Sequence, residues 1–173
     1  MQKEITAHTA NMHWELMPRA SIDQANKPLQ AVWAMKRKRI PGTGAISKYK
    51  ARLNAHGGQQ EHGVNYWDTY APVVRWMSVR LMLVLTLAEK LQSRSIDFTL
   101  AYPQADLDVD IFLELPHGFR LDGFDKKDFV LKLHKNLYGL KQAGHNWFEK
   151  LKDGMVQRGF KPCHSDPCVY TKK

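Results

Sequence analysis

A chain of 173 residues has room for one domain with its own core, or for a segment of a larger one. An apolar content of 43% argues against disorder throughout, no apolar run is long enough to span a bilayer, and "MQKEITAHTA" lacks the apolar core of a secretory signal. The formal charge of +9 favours a polyanionic partner, nucleic acid ahead of an anionic membrane surface.

The first ten residues read as the middle of an amphipathic helix, and Met1 as an internal methionine of a longer reading frame. "AVWAMKRKRI", "PGTG" and "AISKYKARLNAHG" predict a hairpin over about residues 31–55. Its second arm alternates, placing Lys48, Lys50 and Arg52 on one face and Tyr49, Ala51 and Leu53 on the other. Lys36 to Arg39 add four consecutive cations to the first arm. Such a face is either a solvated edge protected by lysine or a surface for phosphates.

"GGQQEHGVNYWDTYAPVVRW" is aromatic and broken by Gly and Pro, which predicts a structured loop. Ser78 then offers an N-cap to a helix over about 78–92. Val79, Met82, Leu83, Thr86, Leu87 and Lys90 follow helical spacing, while Leu81, Val84 and Leu85 fill the other faces. A helix apolar nearly all round predicts burial in the core.

"RSIDFTLAYPQ" reads as a buried strand, and Asp97 within it is costly unless something pairs with it. A cation of the chain, a hydrogen-bond network or a metal would each serve. "ADLDVD" reads as an acidic turn and "IFLELP" as a second strand pairing back on the first. "DFVLKLHKNLYG" alternates, with Phe129, Leu131 and Leu133 inward. "QAGHNWFEKLKDGMVQRGF" predicts an amphipathic helix with Trp147, Leu151 and Met155 on its apolar stripe and Gly159 as its stop. "CVYTKK" enters a last strand. The pattern is α+β, an antiparallel sheet covered by helices.

Cys163 and Cys168 flank His164 and Asp166 in "CHSDPC". A structural zinc site takes four ligands, commonly from two such pairs, and there is no second pair. The segment is read as two reduced thiols near a turn at Pro167. No zinc is expected, and the setting is intracellular, in the cytoplasm or nucleus.

Four segments in this order, "HWELMPR", "ISKYKARLNAHGGQQEHGVNYWDTYAPVVR", "IDFTLAYPQADLDVDIFLELPHGF" and "LKLHKNLYGLKQAGHNWFEKL", carry a family likeness. The chain resembles the reverse transcriptase (RNA-directed DNA polymerase) of copia-type LTR retrotransposons, from about Met1 to its last residue. The combination of "KARL", "YAPVVR", "ELPHGF" and "LYGLKQA" is specific, whereas any one alone is weak.

The resemblance implies a right-hand polymerase, with a fingers-like region in 1–95 and a partial palm in 96–173. It implies two-metal nucleotidyl transfer with Mg2+, acting on an RNA or DNA template-primer and deoxynucleotide triphosphates, with no membrane partner. Asp97 matches the family's first metal-binding aspartate; the alternative is a structural Asp that caps a turn or pairs with Arg94. Tyr102 lies where the family places an aromatic gate that excludes a ribose hydroxyl, the alternative being an aromatic packed in the core. Lys50 and Arg52 match residues that contact the triphosphate, and spacing leaves open which makes the main contact. Tyr138 and Gly139 match a segment lining the nucleotide pocket. Lys36, Lys38, Lys141 and Gln142 are placed along the nucleic-acid backbone. Ordinary surface polarity or packing is the alternative for all of these.

The chain departs from the family where "KQAGH" replaces the usual "KQAPR", where "NAHGGQQ" replaces a "VAKG"-type sequence, and where "DFTLAYPQ" replaces the commoner "DVKTAFLNG". The family's aromatic–x–Asp–Asp turn is expected after "CVY" and does not occur before Lys173. Asp106, Asp108 and Asp110 read as a solvated turn too far from Asp97 to share its metal. The resemblance therefore implies a reverse transcriptase fragment with an incomplete metal site, inactive alone. The alternatives are a non-catalytic nucleic-acid-binding remnant and an inert pseudogene product.

Overall fold

A computed structural model describes residues 1–23 and 26–172. Along the chain run α1 (Gln2–Ala10), β1 (Trp14–Pro18), β2 (Ala31–Arg39), β3 (Ile46–Ala55), α2 (Trp76–Ala88), α3 (Ala101–Gln104), β4 (Asp106–Glu114), β5 (Phe129–Lys135), α4 (Ala143–Gln157), β6 (Lys161–Pro162) and β7 (Tyr170–Thr171). The principal sheet has the order β1-β5-β4 and is antiparallel throughout. This is the mixed helix and antiparallel-sheet architecture that the patterning predicts.

β5 is the central strand, which explains why its alternation is only partly obeyed. Leu131 and Leu133 are buried as expected and Phe129 is half-buried, but Val130 is buried as well, on the other face. A central strand covered on both sides tolerates such a run. Ile5, Trp14, Leu53, Leu113, Leu131 and Leu137 belong to one core cluster. It draws on both sides of residue 95, so a division there does not separate two cores.

β2 and β3 form the expected hairpin, with Lys36 opposite Lys50, Lys38 opposite Lys48 and Arg37 opposite Tyr49. At its base, Leu53 and Ala55 enter the core. Trp33 Nε1 donates to the carbonyl of His117 at 3.0 Å, which ties the first arm to the segment after β4. α4 ends as "QRGF" predicts. Phe160 N bonds Met155 O and Gly159 N bonds Val156 O, with Gly159 at φ +83°. That is the paired 6→1 and 5→2 bonding of a Schellman stop, which needs a left-handed residue.

Four expectations are corrected. The helix expected at 78–92 forms as α2 but is not buried; Leu83 is 60% and Leu87 80% exposed. Apolar periodicity reports which faces could be covered, not whether a layer covers them, and among the described elements none lies broadly across α2. Its N-cap is Arg75, not Ser78. The Ser78 hydroxyl instead donates to the Asp166 carboxylate at 2.6 Å, and that carboxylate also accepts from the amides of Arg75 and Cys168, each at 3.0 Å. These three bonds hold the buried Asp166 carboxyl below the usual carboxylate range, the Ser78 bond most of all.

Residues 95–98 are not a strand. They have no regular structure and are exposed, Asp97 included. Leu100 turns the chain in the left-handed region, at φ 51°, into the single turn of α3, where Pro103 is buried. Finally, "DLDVD" is not a turn but the first half of β4. Leu107 and Val109 pack on the core while Asp106, Asp108 and Asp110 face solvent. The pairing to β5 shifts register between Asp106 and Ile111, so this stretch bows out of the ladder.

Candidate active site

Three sequence-predicted residues from distant parts of the chain come together. The guanidinium carbon of Arg52, on β3, sits 5.6 Å from the centre of the Tyr138 ring. The Tyr138 ring in turn lies 5.0 Å from that of Tyr102, on α3, at a tilt of 50°. The arrangement has a backbone cause. Ala55 N donates to Tyr138 O at 2.8 Å, which docks the segment after β5 on the end of β3. Gly139 and Gly57 allow the approach. A Cβ on Gly139 would lie 2.2 Å from Ala55 O, and one on Gly57 would lie 2.1 Å from Gly139 O.

Tyr102 is half-buried and packs against the core, as its packing alternative expects. Burial raises the Tyr138 phenol above its ordinary value, Arg52 opposes that rise, and Tyr102, Glu4 and Asp97 add to it. Of these, Asp97 contributes least. Its neighbour Phe98 is anchored edge-on against Trp147 of α4, with 5.1 Å between ring centres. Lys50 shares the Arg52 face of the hairpin and is half-buried; Lys36 and Lys38 are exposed on that same face.

Gln142 is placed otherwise than the sequence suggests. It is 1% exposed, accepts from Gln60 Nε2 at 2.9 Å and donates to Asn65 O at 3.0 Å. A buried amide with its partners satisfied holds a loop in place and is not available to a nucleic-acid backbone. The Lys141 amide donates to Gln60 Oε1 at 2.8 Å, and its ammonium lies 4.4 Å over the Tyr66 ring while donating to Gln60 O at 3.2 Å. Both residues of "KQ" therefore clamp the loop over residues 57–66 against the start of α4. Gln60 has no local signal in the sequence, because its partner stands 82 positions away.

The described residues do not fit the two-metal Mg2+ site that the resemblance implies. Among them, no three His, Cys, Asp or Glu side chains come together as a metal-holding group. The acidic row on β4 is engaged elsewhere: Asp106 with Lys135 and Lys150, Asp110 with Lys132 at 2.9 Å, and Asp108 with Asn146 at 3.3 Å. Lys135 holds the Asp106 carboxyl below its ordinary value, and Lys150 adds to that effect. Cys163 and Cys168 are both free thiols. No helix among the described residues is long and apolar enough to cross a membrane.

Comparison with known proteins agrees with the motifs. The chain is 35% identical over its whole length to the retrovirus-related Pol polyprotein from transposon TNT 1-94 of Nicotiana tabacum, of which it covers 13%. It is 32% identical, over 98% of its length, to the corresponding polyprotein from transposon RE1 of Arabidopsis thaliana, covering 11% of that protein. It is 28% identical, over 70% of its length, to the transposon Ty1-H Gag-Pol polyprotein of Saccharomyces cerevisiae, covering 7%. The chain thus spans about an eighth or less of the curated relatives it matches. No solved structure matches it. A family model for reverse transcriptase (RNA-dependent DNA polymerase) matches residues 11–173, and the chain belongs to that family.

Proposed function

We propose that residues 1–173 supply the fingers and part of the palm of a retrotransposon reverse transcriptase, with Arg52, Tyr138 and Tyr102 as one wall of the pocket for the incoming deoxynucleotide. The observation that carries this reading is the unbroken contact from guanidinium to ring to ring across β3, the segment after β5, and α3. Arg52 offers a planar fork to triphosphate oxygens, with Lys50 beside it as a second cation. Tyr102 sets a rigid edge against the sugar, where a ribose hydroxyl would collide. Gly139 lets the segment that carries Tyr138 sit directly on the end of β3, which places the ring in this wall. Lys36 and Lys38 extend the cationic face toward a template-primer. The resemblance assigns Asp97 alone to Mg2+, and one carboxylate does not hold a metal pair. The segment by itself is therefore a binder of nucleotide and nucleic acid that does not polymerise. The parent protein would act inside the cell.

Two measurements on the purified segment test this. Deoxynucleotide triphosphate binding, followed by equilibrium dialysis, should weaken on the order of tenfold or more in Arg52→Ala, as expected for a charge-assisted bidentate contact. Equal binding by the variant would remove Arg52 from the pocket. Primer extension on an RNA template with Mg2+ should yield no product. Extension that disappears in Asp97→Asn would overturn the proposed inactivity.

A second reading, a nucleic-acid-binding remnant without nucleotide recognition, is favoured by one observation. Residues 31–55 hold seven Lys and Arg and no Asp or Glu. It predicts steeply salt-dependent binding to an RNA–DNA hybrid with no triphosphate affinity.

A further inference from the structure

One buried side chain ties the loop after β3 to the segment after β5. Gln60 follows the single turn Gly57–Gln59, its amide donating to Gly57 O at 3.1 Å. Its Oε1 accepts from the Lys141 amide at 2.8 Å, and its Nε2 donates to Gln142 Oε1 at 2.9 Å and to Asn65 O at 3.3 Å. Its carbonyl accepts from the Lys141 ammonium at 3.2 Å. On the other side of the turn, Gln59 Oε1 accepts from the Gln30 amide at 2.8 Å, next to the start of β2. The turn is thus a fixed point, and Gln60 is the arm that reaches from it to residues 141 and 142.

Tyr138 stands three residues before Lys141. Its carbonyl is anchored on β3 by the bond from Ala55 N. One hydrogen bond leaves a segment free to swing about it, whereas a second anchor three residues on removes that freedom. Gly139 lies between the two anchors, and its permissive backbone does not transmit orientation by local stiffness. Leu137 and Leu140 are buried on either side of Tyr138, but apolar packing is not directional. The ring contacts of Tyr138 with Arg52 and Tyr102 are also broad in angle. The direction of the ring therefore comes from its backbone, and the Gln60 bonds hold that backbone.

We propose that Gln60 is a positioning residue for the nucleotide pocket. Bonded to Lys141 and Gln142, it aims the Tyr138 ring at Arg52 and so sets the wall that a deoxynucleotide meets. Gln60 itself touches no ligand. A carboxamide suits the place because it accepts from one residue and donates to the next without carrying a charge. The inference rests on the nucleotide-pocket reading and adds to it a residue outside the wall.

Two readouts on the 173-residue chain test this: deoxythymidine triphosphate binding by equilibrium dialysis, and the fluorine NMR signal of fluorotyrosine at position 138. Gln60→Met keeps the length of the side chain and loses its bonds. It should weaken triphosphate binding on the order of threefold to tenfold, the scale of coupling within one hydrogen-bonded network, and it should move the fluorine signal in a chain that still melts cooperatively. In a Tyr138→Leu background the same change should alter affinity by less than about twofold, because its effect runs through the ring. An unmoved signal in Gln60→Met overturns the proposal. So does wild-type affinity in Gln60→Met where Arg52→Ala weakens binding, or an equal loss with and without the Tyr138 ring. Should Gln60→Met not fold, Gln142→Met breaks the same contact from the other side while the Lys141 amide keeps its acceptor. Wild-type affinity and an unmoved signal there overturn the proposal as well. Failure of the nucleotide-pocket reading looks different. Triphosphate binding would then be unchanged in Arg52→Ala and Gln60→Met alike while the fluorine signal still moved.

Discussion

Gly57 and Gly139 cross backbone against backbone, with room for no side chain at either position. Gly139 also holds φ at +91°, where an L residue is strained. Gly139→Ala combines that strain with a clash against Ala55 O and should cost roughly 2–4 kcal/mol, read from the urea midpoint. Gly154→Ala, inside α4, is the counterpart. Its nearest neighbour is the flexible end of Arg158, 3.4 Å away, and removal of a helical glycine should gain about 0.5–1 kcal/mol. Equal midpoints for the two variants would remove the crossing as a constraint.

Stability should fall with acid well before the carboxylates titrate. His8 is fully buried, stacked on Trp14 with 4.9 Å between ring centres, and its Nδ1 lies 2.8 Å from His13 Nδ1. Burial and then His13 lower its pKa from 6.5 to about 4, and burial and then Lys135 lower that of His13. Glu4 Oε1 stands 3.9 Å from His8 Nε2, too far for a hydrogen bond. The unfolded chain takes up a proton near pH 6.5 that the folded chain refuses until about pH 4. The contribution is therefore complete above pH 6.5 and is lost as pH falls toward 4. A displacement of that size is on the order of 3 kcal/mol. Urea midpoints between pH 7.5 and pH 4.5 should show the fall, and His8→Leu should flatten it.

The hairpin's like-charge pairs set stability against binding. Lys36 and Lys50 are directly opposite, as are Lys38 and Lys48. Lys50→Glu exchanges one repulsion for an attraction and should raise the thermal midpoint of the free chain, by about 0.2–1 kcal/mol in stability. The same change should weaken oligonucleotide binding and reduce the slope of log K against log salt by about 1 or more. Parallel movement of the two properties would contradict the assignment of these lysines to phosphates.

The two thiols should react unequally. The Ser165 hydroxyl, 3.2 Å from Sγ, lowers the Cys163 thiol, with the amides of Ser165 and Asp166 adding, while burial raises Cys168. Limited iodoacetamide treatment at neutral pH, read by peptide mass spectrometry, should label Cys163 first, since the thiolate is the nucleophile.

Local pattern was a good guide wherever the partner was also local. The two faces of the hairpin follow from alternation, and the end of α4 follows from Gly159. It failed where distant structure decides. "SIDFTLAYPQ" has strand composition, but a left-handed Leu100 and a single helical turn replace the strand, and short apolar runs do not distinguish the two. "DLDVD" carried a strand signal in Leu107 and Val109 that its three acids hid. Gln60 gave no local signal, because its partner Gln142 stands 82 positions away, and Gln142 itself signalled a surface role that this pairing overrides. The candidate pocket was legible as residues through family likeness, while their contact through Tyr138 required coordinates.

The carboxylate that fixes the start of α2 belongs to Asp166, 88 positions after Ser78. A ribosome adding roughly 5–20 residues per second needs on the order of 5–20 s to reach it. Through that interval the nascent chain carries a helix rich in Leu, Met and Val whose first turn is not yet anchored. The helix is thus open to chaperone capture or to mispairing between neighbouring nascent chains on one message. Synthesis that pauses between these two residues lengthens in proportion the interval before that first turn is anchored.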